Sequence, residues 1–371
     1  MRGLRLAGLG GLAGPVRLAG PGRLTRYLGA AFLARWVGTA LAVTVLIGLL
    51  DGLANAPEVA ERAAAAGRGG QGAYLAARAP VIFDRIGLLT VLLALVLTYI
   101  GLVRRREVVA LAAAGLSPAR QLLALLPAVL LAALASGLIA DRLVPPAVRS
   151  LQAWSAPGYG AGRLSEESPL WLRDGDRIVR VAGRLGPETV GTVRLFRLGE
   201  GGRLIAVTAA ERAEWRGEGW ALGGARALLG AAPAASWRTA VGPDALDRLI
   251  AEPRDLSLAD MGRLAALRGA GSRPSYAYEA WGWHRLTRPL AAIGLTLCVV
   301  PLMQVAARGA GGERAAIAAL AVGFGYFVLD GAMVALAERG AAPPAATVFV
   351  TVSVPFLLGA WLMLAKETVR P

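Results

Sequence analysis

Long apolar runs, each closed by a cluster of arginines or a polar turn, set the plan of this chain. A helix needs about 20 apolar residues to cross a bilayer core, and six stretches qualify. Four are the clearest: Ile86–Val103, Leu122–Ala140, Ala315–Ala337, which carries one acid at Asp330, and Ala345–Ala365. Two weaker ones carry basic residues: Tyr27–Leu50 contains Arg35, and Trp281–Met303 opens with His284, Arg285 and Arg288. These groups lie near segment ends, where an arginine reaches the headgroups along its apolar stem. At mid-bilayer each would cost about 2.5–3.5 kcal/mol.

From Val144 to Gly271 the pattern changes. Short apolar or alternating segments (Trp171-Leu172, Arg177–Val181, Thr192–Leu198, Arg203–Val207, Trp220–Leu222) are separated by turns at Asp174-Gly175-Asp176, Leu185-Gly186-Pro187, Gly199–Gly202 and Gly217–Gly219. Strands at that spacing predict a sandwich or jelly roll. The expected fold is therefore an α-helical polytopic membrane protein of six transmembrane helices, with an all-β domain inserted between helices 3 and 4. The divisions are a basic Gly-rich arm (1–23), helices 1–3 (24–143), the β domain (144–275), and helices 4–6 with a short tail (276–371). Two roles stand open for the β domain: a lid or stalk, or a groove or edge that passes something onward by strand addition.

Charge orients the helices. Clusters at Arg2, Arg5, Arg17, Arg23 and Arg26, at Arg104–Arg106 with Arg120, at Arg308 with Arg314, and at Lys366 with Arg370 all fall on one side if the spans number six. Short loops rich in Lys/Arg stay in the cytoplasm, so both termini are expected inside. The loops 51–77, 141–276 and 338–344 then lie outside.

With 56% apolar and 18% charged residues and a mean hydropathy of +0.53, one soluble globule is excluded, as is a disordered chain. The formal charge of +15 flanks apolar segments, which points to membrane orientation rather than nucleic acid. Gly8, Gly10 and Ala13 satisfy a loose GxGxxA pattern, but no strand precedes them.

Several chemistries lack their residues. The single lysine, Lys366, has no Gly-rich loop before it, so no phosphate loop exists here. One cysteine, Cys298, and one histidine, His284, cannot build a zinc site or an internal disulfide. A serine hydrolase would need His284 to meet Ser136 or Ser353 from other spans, without a strained nucleophile turn. His284 is read instead as an interfacial polar residue.

The loop Arg104–Pro118 predicts a short cytoplasmic helix. Gly115 suits its left-handed end, while Ser117 before Pro118 caps the next helix. Glu107 sits at its positive end, and Val108, Leu111 and Ala112 share a face. Two roles fit: an interfacial helix with basic anchors, or a lever pushed by a motor protein.

This loop resembles the coupling helix of the LptF/LptG lipopolysaccharide-export permeases, whose pattern is roughly Glu-hydrophobic-x-x-hydrophobic-x-Ala-x-Gly-x-Ser. In matching order, LTRYL (24–28), GGQGAYLAARAP (69–80), AERAEWRGEGWAL (210–222), LSLADMGRLAALRGAGSRPSYAYEAWGWHRLTRP (256–289) and GFGYFVLDGAMVALAERGAAPP (323–344) are similar to that family, the last leaning to its LptG branch.

The resemblance implies a non-catalytic permease subunit in the bacterial inner membrane, with its β domain, a jelly roll, in the periplasm. It would hold no cofactor itself. It would pair with an LptF-like permease subunit, an LptB ATPase dimer that binds the ATP, an LptC-like membrane-anchored jelly-roll protein and an LptA-like periplasmic bridge, with lipopolysaccharide as ligand. By motif, Glu107 would contact an arginine of the ATPase, and Leu111, Gly115 and Ser117 would shape that joint. Cavity or gate candidates are Asp51, Arg78, Arg85, Phe324, Tyr326, Phe327 and Asp330. Relatives often carry a lysine near the outer end of span one, where this chain has Asp51; either Arg62, Arg78 or Arg85 takes over, or the ligand's headgroup is less anionic. Arg78 and Arg85, seven residues apart, share a helix face. Tyr326 and Asp330 are spaced for a hydrogen bond, and Asp330 is either functional or a structural partner. Gly323, Gly325 and Gly331 suit close helix approach. The alternatives are a mechanotransmission-type ABC permease through which no lipid passes, and a membrane scaffold or sensor.

Overall fold

A computed structural model describes residues 21–67, 69–159, 164–166, 169–186, 188–230, 232–267, 272–306 and 312–367. The first twenty residues of the basic arm, with Gly8, Gly10 and Ala13, lie outside these, as do Pro187, residues 268–271, Arg308 and Arg370.

Among the described residues six helices are long and apolar enough to span a membrane. They are α1 (Pro21–Ala54), α3 (Gln71–Arg104), α5 (Pro118–Arg142), α9 (Ser275–Ala306), α10 (Gly312–Glu338) and α11 (Pro344–Glu367). Each contains one of the six apolar runs and extends beyond it, because the polar end turns close their own backbone bonds. Short helices join them: α2 (Ala56–Ala66), α4 (Glu107–Ala113) and α6 (Val144–Ala153).

The helical core lies between α1, α3, α5 and α9. Leu28, Phe32, Leu92, Leu95, Tyr99, Leu125, Val129, Val299 and Met303 are all buried there. Glycine sets two of the approaches. A Cβ on Gly323 of α10 would lie 2.1 Å from Leu92 Cδ2, and one on Gly359 of α11 would lie 2.6 Å from Leu297 Cβ. Of the three glycines expected to do this on α10, Gly325 and Gly331 face open space, so only Gly323 has that role. Arg35 lies in the first half of α1. Its Nη1 donates to the Ala31 carbonyl at 2.7 Å, and Gly101 leaves the room its guanidinium occupies.

The strands occupy Leu170–Arg238, less than the expected 144–275. Among the described residues the region also holds helices: α6 before the strands, then α7 (Pro243–Ile250) and α8 (Leu258–Ala265). Proline at the first turn of α6 and of α7, and Ser257 capping α8, start these helices. The all-β expectation for the whole region is corrected accordingly.

The strands are β1 (Leu170–Asp174), β2 (Arg177–Val181), β3 (Thr189–Val190), β4 (Val193–Leu198), β5 (Leu204–Ala210), β6 (Arg212–Trp215), β7 (Gly219–Gly223), β8 (Arg226–Leu229) and β9 (Ser236–Arg238). They form a five-stranded sheet ordered β1-β2-β4-β5-β8 and a four-stranded sheet ordered β3-β6-β7-β9, antiparallel throughout.

Both sheets share one core. Leu172, Val179 and Leu195 come from one, Ala213, Trp220 and Trp237 from the other, and Leu246, Leu264 and Tyr278 close it from the helices. The buried indoles keep their N–H groups satisfied: Trp220 Nε1 donates to Val241 O at 2.8 Å, and Trp237 Nε1 to Asp174 Oδ2 at 2.7 Å.

Candidate functional site

Three of the predicted residues meet in one cavity. Asp51, Arg78 and Arg85 line a space of about 580 Å³ between the C-terminal end of α1, the first half of α3, α6, the 157–159 turn and the join from the β domain to α8. Arg78 and Arg85 both face it, as their shared helix face requires.

Their charges are committed within the chain. Arg78 donates to Asp51 through Nε at 2.9 Å and Nη2 at 2.8 Å, a two-pronged pair, and its Nη1 reaches the Tyr159 hydroxyl at 2.9 Å. Tyr74 completes Asp51's shell with a 2.8 Å bond. Arg85 pairs with Asp255 at 2.7 Å, and Arg254 with Glu252 at 2.6 Å. The three arginines in the lining are thus matched by three acids. Asp51 sits where a lysine was expected because it positions Arg78.

Burial outweighs Arg85 and Arg254 at Asp255 and raises that carboxyl above its ordinary range. Burial likewise raises Tyr159, against the lowering effect of Arg78. Arg62 is elsewhere: it bonds the Ser155 and Ala156 carbonyls and pairs with Glu58.

A second polar centre lies between α3, α9, α10 and α11, around a void of about 100 Å³. Asp330 accepts or shares a 2.8 Å bond with His284 Nε2. The expected Tyr326–Asp330 hydrogen bond is absent from the described contacts, because Asp330 turns to α9 instead. Tyr326 is buried and meets Phe327 edge-on, with ring centroids 5.7 Å apart. Phe324 points outward and is 57% exposed.

His284 is not simply interfacial. It packs edge-on against Trp281, whose Nε1 donates to Glu338 at 2.5 Å. Arg288 pairs with the buried Asp84. Arg285, also buried, donates to the carbonyls of Leu256 at 2.5 Å and Arg254 at 2.7 Å. These bonds root the β-domain join on α9. Asp84, Asp255, His284, Arg285, Arg288 and Tyr159 did not emerge as site residues from sequence. The one available signal was the charged first turns of α9.

At the opposite end of the bundle, α4 follows a two-residue turn through Arg105 and Arg106, the latter at φ 57°. Gly115 ends it at φ +78°, with Leu116 N bonded to Leu111 O and Gly115 N to Ala112 O, both at 3.0 Å. This is the double-bonded left-handed end glycine favours. Ser117 caps α5 by accepting from Arg120 N at 3.3 Å.

Val108 is the buried anchor of α4, Leu111 is half-buried, and Val109, Ala112 and Gly115 are exposed. Tyr27 donates to Glu107, and Arg105 stands 3.9 Å from the same carboxylate. A short apolar surface with an acid at its start is therefore presented on a stiff stem.

Ser136 Oγ is committed to the Ala132 carbonyl at 2.8 Å. Among the described residues no group of three His, Cys, Asp or Glu side chains could hold a metal ion.

A family model described as "Lipopolysaccharide export system permease LptF/LptG" matches residues 26–365. Two curated relatives are similar over nearly their whole length. They are the lipopolysaccharide export system permease proteins LptG of Escherichia coli strain K12 and strain O6:H1, each 22% identical over 363 residues, covering 90% of this chain and 98% of the relative.

Proposed function

The chain belongs to the LptF/LptG family of lipopolysaccharide export permeases, and on that footing we propose that it is the LptG-like half of an ABC-type exporter. It is a multi-pass protein of the bacterial inner membrane. Both termini lie in the cytoplasm and the two-sheet domain, read as a jelly roll, lies in the periplasm. The chain works with an LptF-like subunit, an LptB ATPase dimer that hydrolyses ATP, an LptC-like anchored protein and an LptA-like bridge. Lipopolysaccharide enters from the outer leaflet and is passed upward.

The observation that carries this reading is α4. Its glycine-ended, serine-followed geometry offers Glu107 and an apolar face beside the inner ends of α1 and α3. A chain without a phosphate loop needs such a joint to an outside engine. A buried charge-assisted contact from Glu107 contributes about 1.5–3 kcal/mol.

Glu107→Arg should abolish copurification with the ATPase. Tyr27→Phe, which removes only the internal bond, should leave it in place. Unchanged ATPase binding in Glu107→Arg would remove Glu107 from the joint.

The paired arginines shape the ligand site. A phosphate entering the outer cavity must draw Arg85 from Asp255 or Arg78 from Asp51, so recognition is an exchange of carboxylate for phosphate. The raised Asp255 carboxyl is the easier acid to neutralise and release. Phe324, Tyr326 and Phe327 serve acyl chains at the gate. Photocrosslinkers at 78 and 85 should capture lipopolysaccharide. A mechanotransmission permease would yield no lipid adducts at either position.

A further inference from the structure

The outward face of the five-stranded sheet carries a row of arginines that the transport reading does not use. Register places Trp171, Arg180, Arg194, Ala209 and Arg226 side by side across β1, β2, β4, β5 and β8. Leu170, Leu172, Val179, Val181, Val193 and Leu195 point to the core, so this row points away from it. Trp171 stacks on Phe196 with centroids 5.7 Å apart, and Trp171 is half exposed.

Arg180 and Arg194 are directly opposed on neighbouring strands, an unfavourable pairing of like charges. One carboxylate relieves it. Glu166, in the segment leading to β1, takes Arg180 Nη2 at 2.7 Å on its side chain and at 3.1 Å on its carbonyl. Arg180 and Thr192 hold that carboxyl below its ordinary value. Another Arg180 nitrogen, Nη1, is shielded from solvent without a hydrogen-bond partner among the described residues. Among the described residues neither Arg194 nor Arg226 forms an ion pair, and both are exposed.

We propose that this sheet face docks an acidic, extended segment of a partner polypeptide. Glu166 shows the chemistry within the chain: a carboxylate laid on the row at Arg180. Two guanidiniums flanking the small Ala209 extend that site across the sheet. Arginine beside exposed tryptophan and phenylalanine is the composition of protein-binding surfaces. The face differs from the strand edges, where partners add by backbone pairing.

The test uses the full chain in phosphatidylcholine nanodiscs with fluorescein-labelled hexaglutamate, read by polarisation at low salt. Arg194→Glu with Arg226→Glu should weaken binding about tenfold or more. Reversal of two exposed arginines elsewhere on the domain, Arg203→Glu with Arg238→Glu, should change it by less than about twofold. Equal weakening by both pairs, or none by the first, overturns the proposal.

In cells, benzoylphenylalanine at position 226 should capture a polypeptide whose crosslinked peptide is acid-rich. Arg194→Glu should abolish that capture. Adducts to lipid alone, or capture indifferent to charge reversal, would also overturn it. None of these outcomes depends on ATPase binding through α4.

Discussion

Arg85→Met isolates the ion pair that ties α3 to the base of the β domain. The substitution keeps most of the stem's packing and leaves Asp255, only 6% exposed at its side chain, without its nearest cation. Removing one partner of a fully buried pair costs about 3–5 kcal/mol. Arg85 is 31% exposed and Arg254 stands nearby, so screening and substitution reduce that to about 2–3 kcal/mol.

The loss should depend on pH with a defined sign. Burial already raises the folded carboxyl of Asp255. A raised acid contributes stability below its unfolded value, near 3.9, and loses it as pH rises through the folded value. Without Arg85 the folded value rises further and the losing window widens upward. The gap between variant and parent should therefore be smaller at about pH 4 than at about pH 8.

Thermal unfolding in detergent, followed by the fluorescence of the nine tryptophans, would read this as roughly 3–4 °C at the upper pH. Arg85→Met with Asp255→Leu should recover most of it. A gap of equal size at both pH values, or one that widens on acidification, would refute the assignment.

Three further outcomes follow from particular contacts. Gly323→Ala drives a methyl into Leu92, and should cost a net of about 1–2 kcal/mol after the helix-propensity gain. Leu92→Ala in the same background should be sub-additive in an unfolding cycle. Ser117→Ala removes the α5 cap, about 1 kcal/mol of local stability, and should raise amide exchange at Arg120 more than elsewhere in α5. His284→Phe strips Asp330 of its partner and should lower detergent stability by about 1–3 kcal/mol. Adding Asp330→Leu should restore it, as chemical denaturation would show.

The spans, the α4–α5 caps and the ordered family motifs are readable without coordinates, because each depends on neighbours a few residues away. Twenty apolar positions in a row have one stable use in a bilayer, and Gly115 and Ser117-Pro118 act on their own turns. Arg78 and Arg85 could be placed together for the same reason, since helical periodicity alone puts them on one side. What those arginines hold was decided elsewhere. Arg85 meets Asp255 across 170 residues and Arg288 meets Asp84 across 204.

Periodicity cannot register such meetings. A charge in an apolar segment has the same signature whether it faces lipid, a cavity or a counter-ion. Only the packing of α3 against α9, and of both beneath the β domain, sets the distance between opposite charges. At these separations that distance separates a free phosphate-binding cation from one already engaged. The chain's own letters determined that it spans a membrane and turns through a short capped helix between its second and third spans; tertiary structure decided which of its charges remain available to anything else.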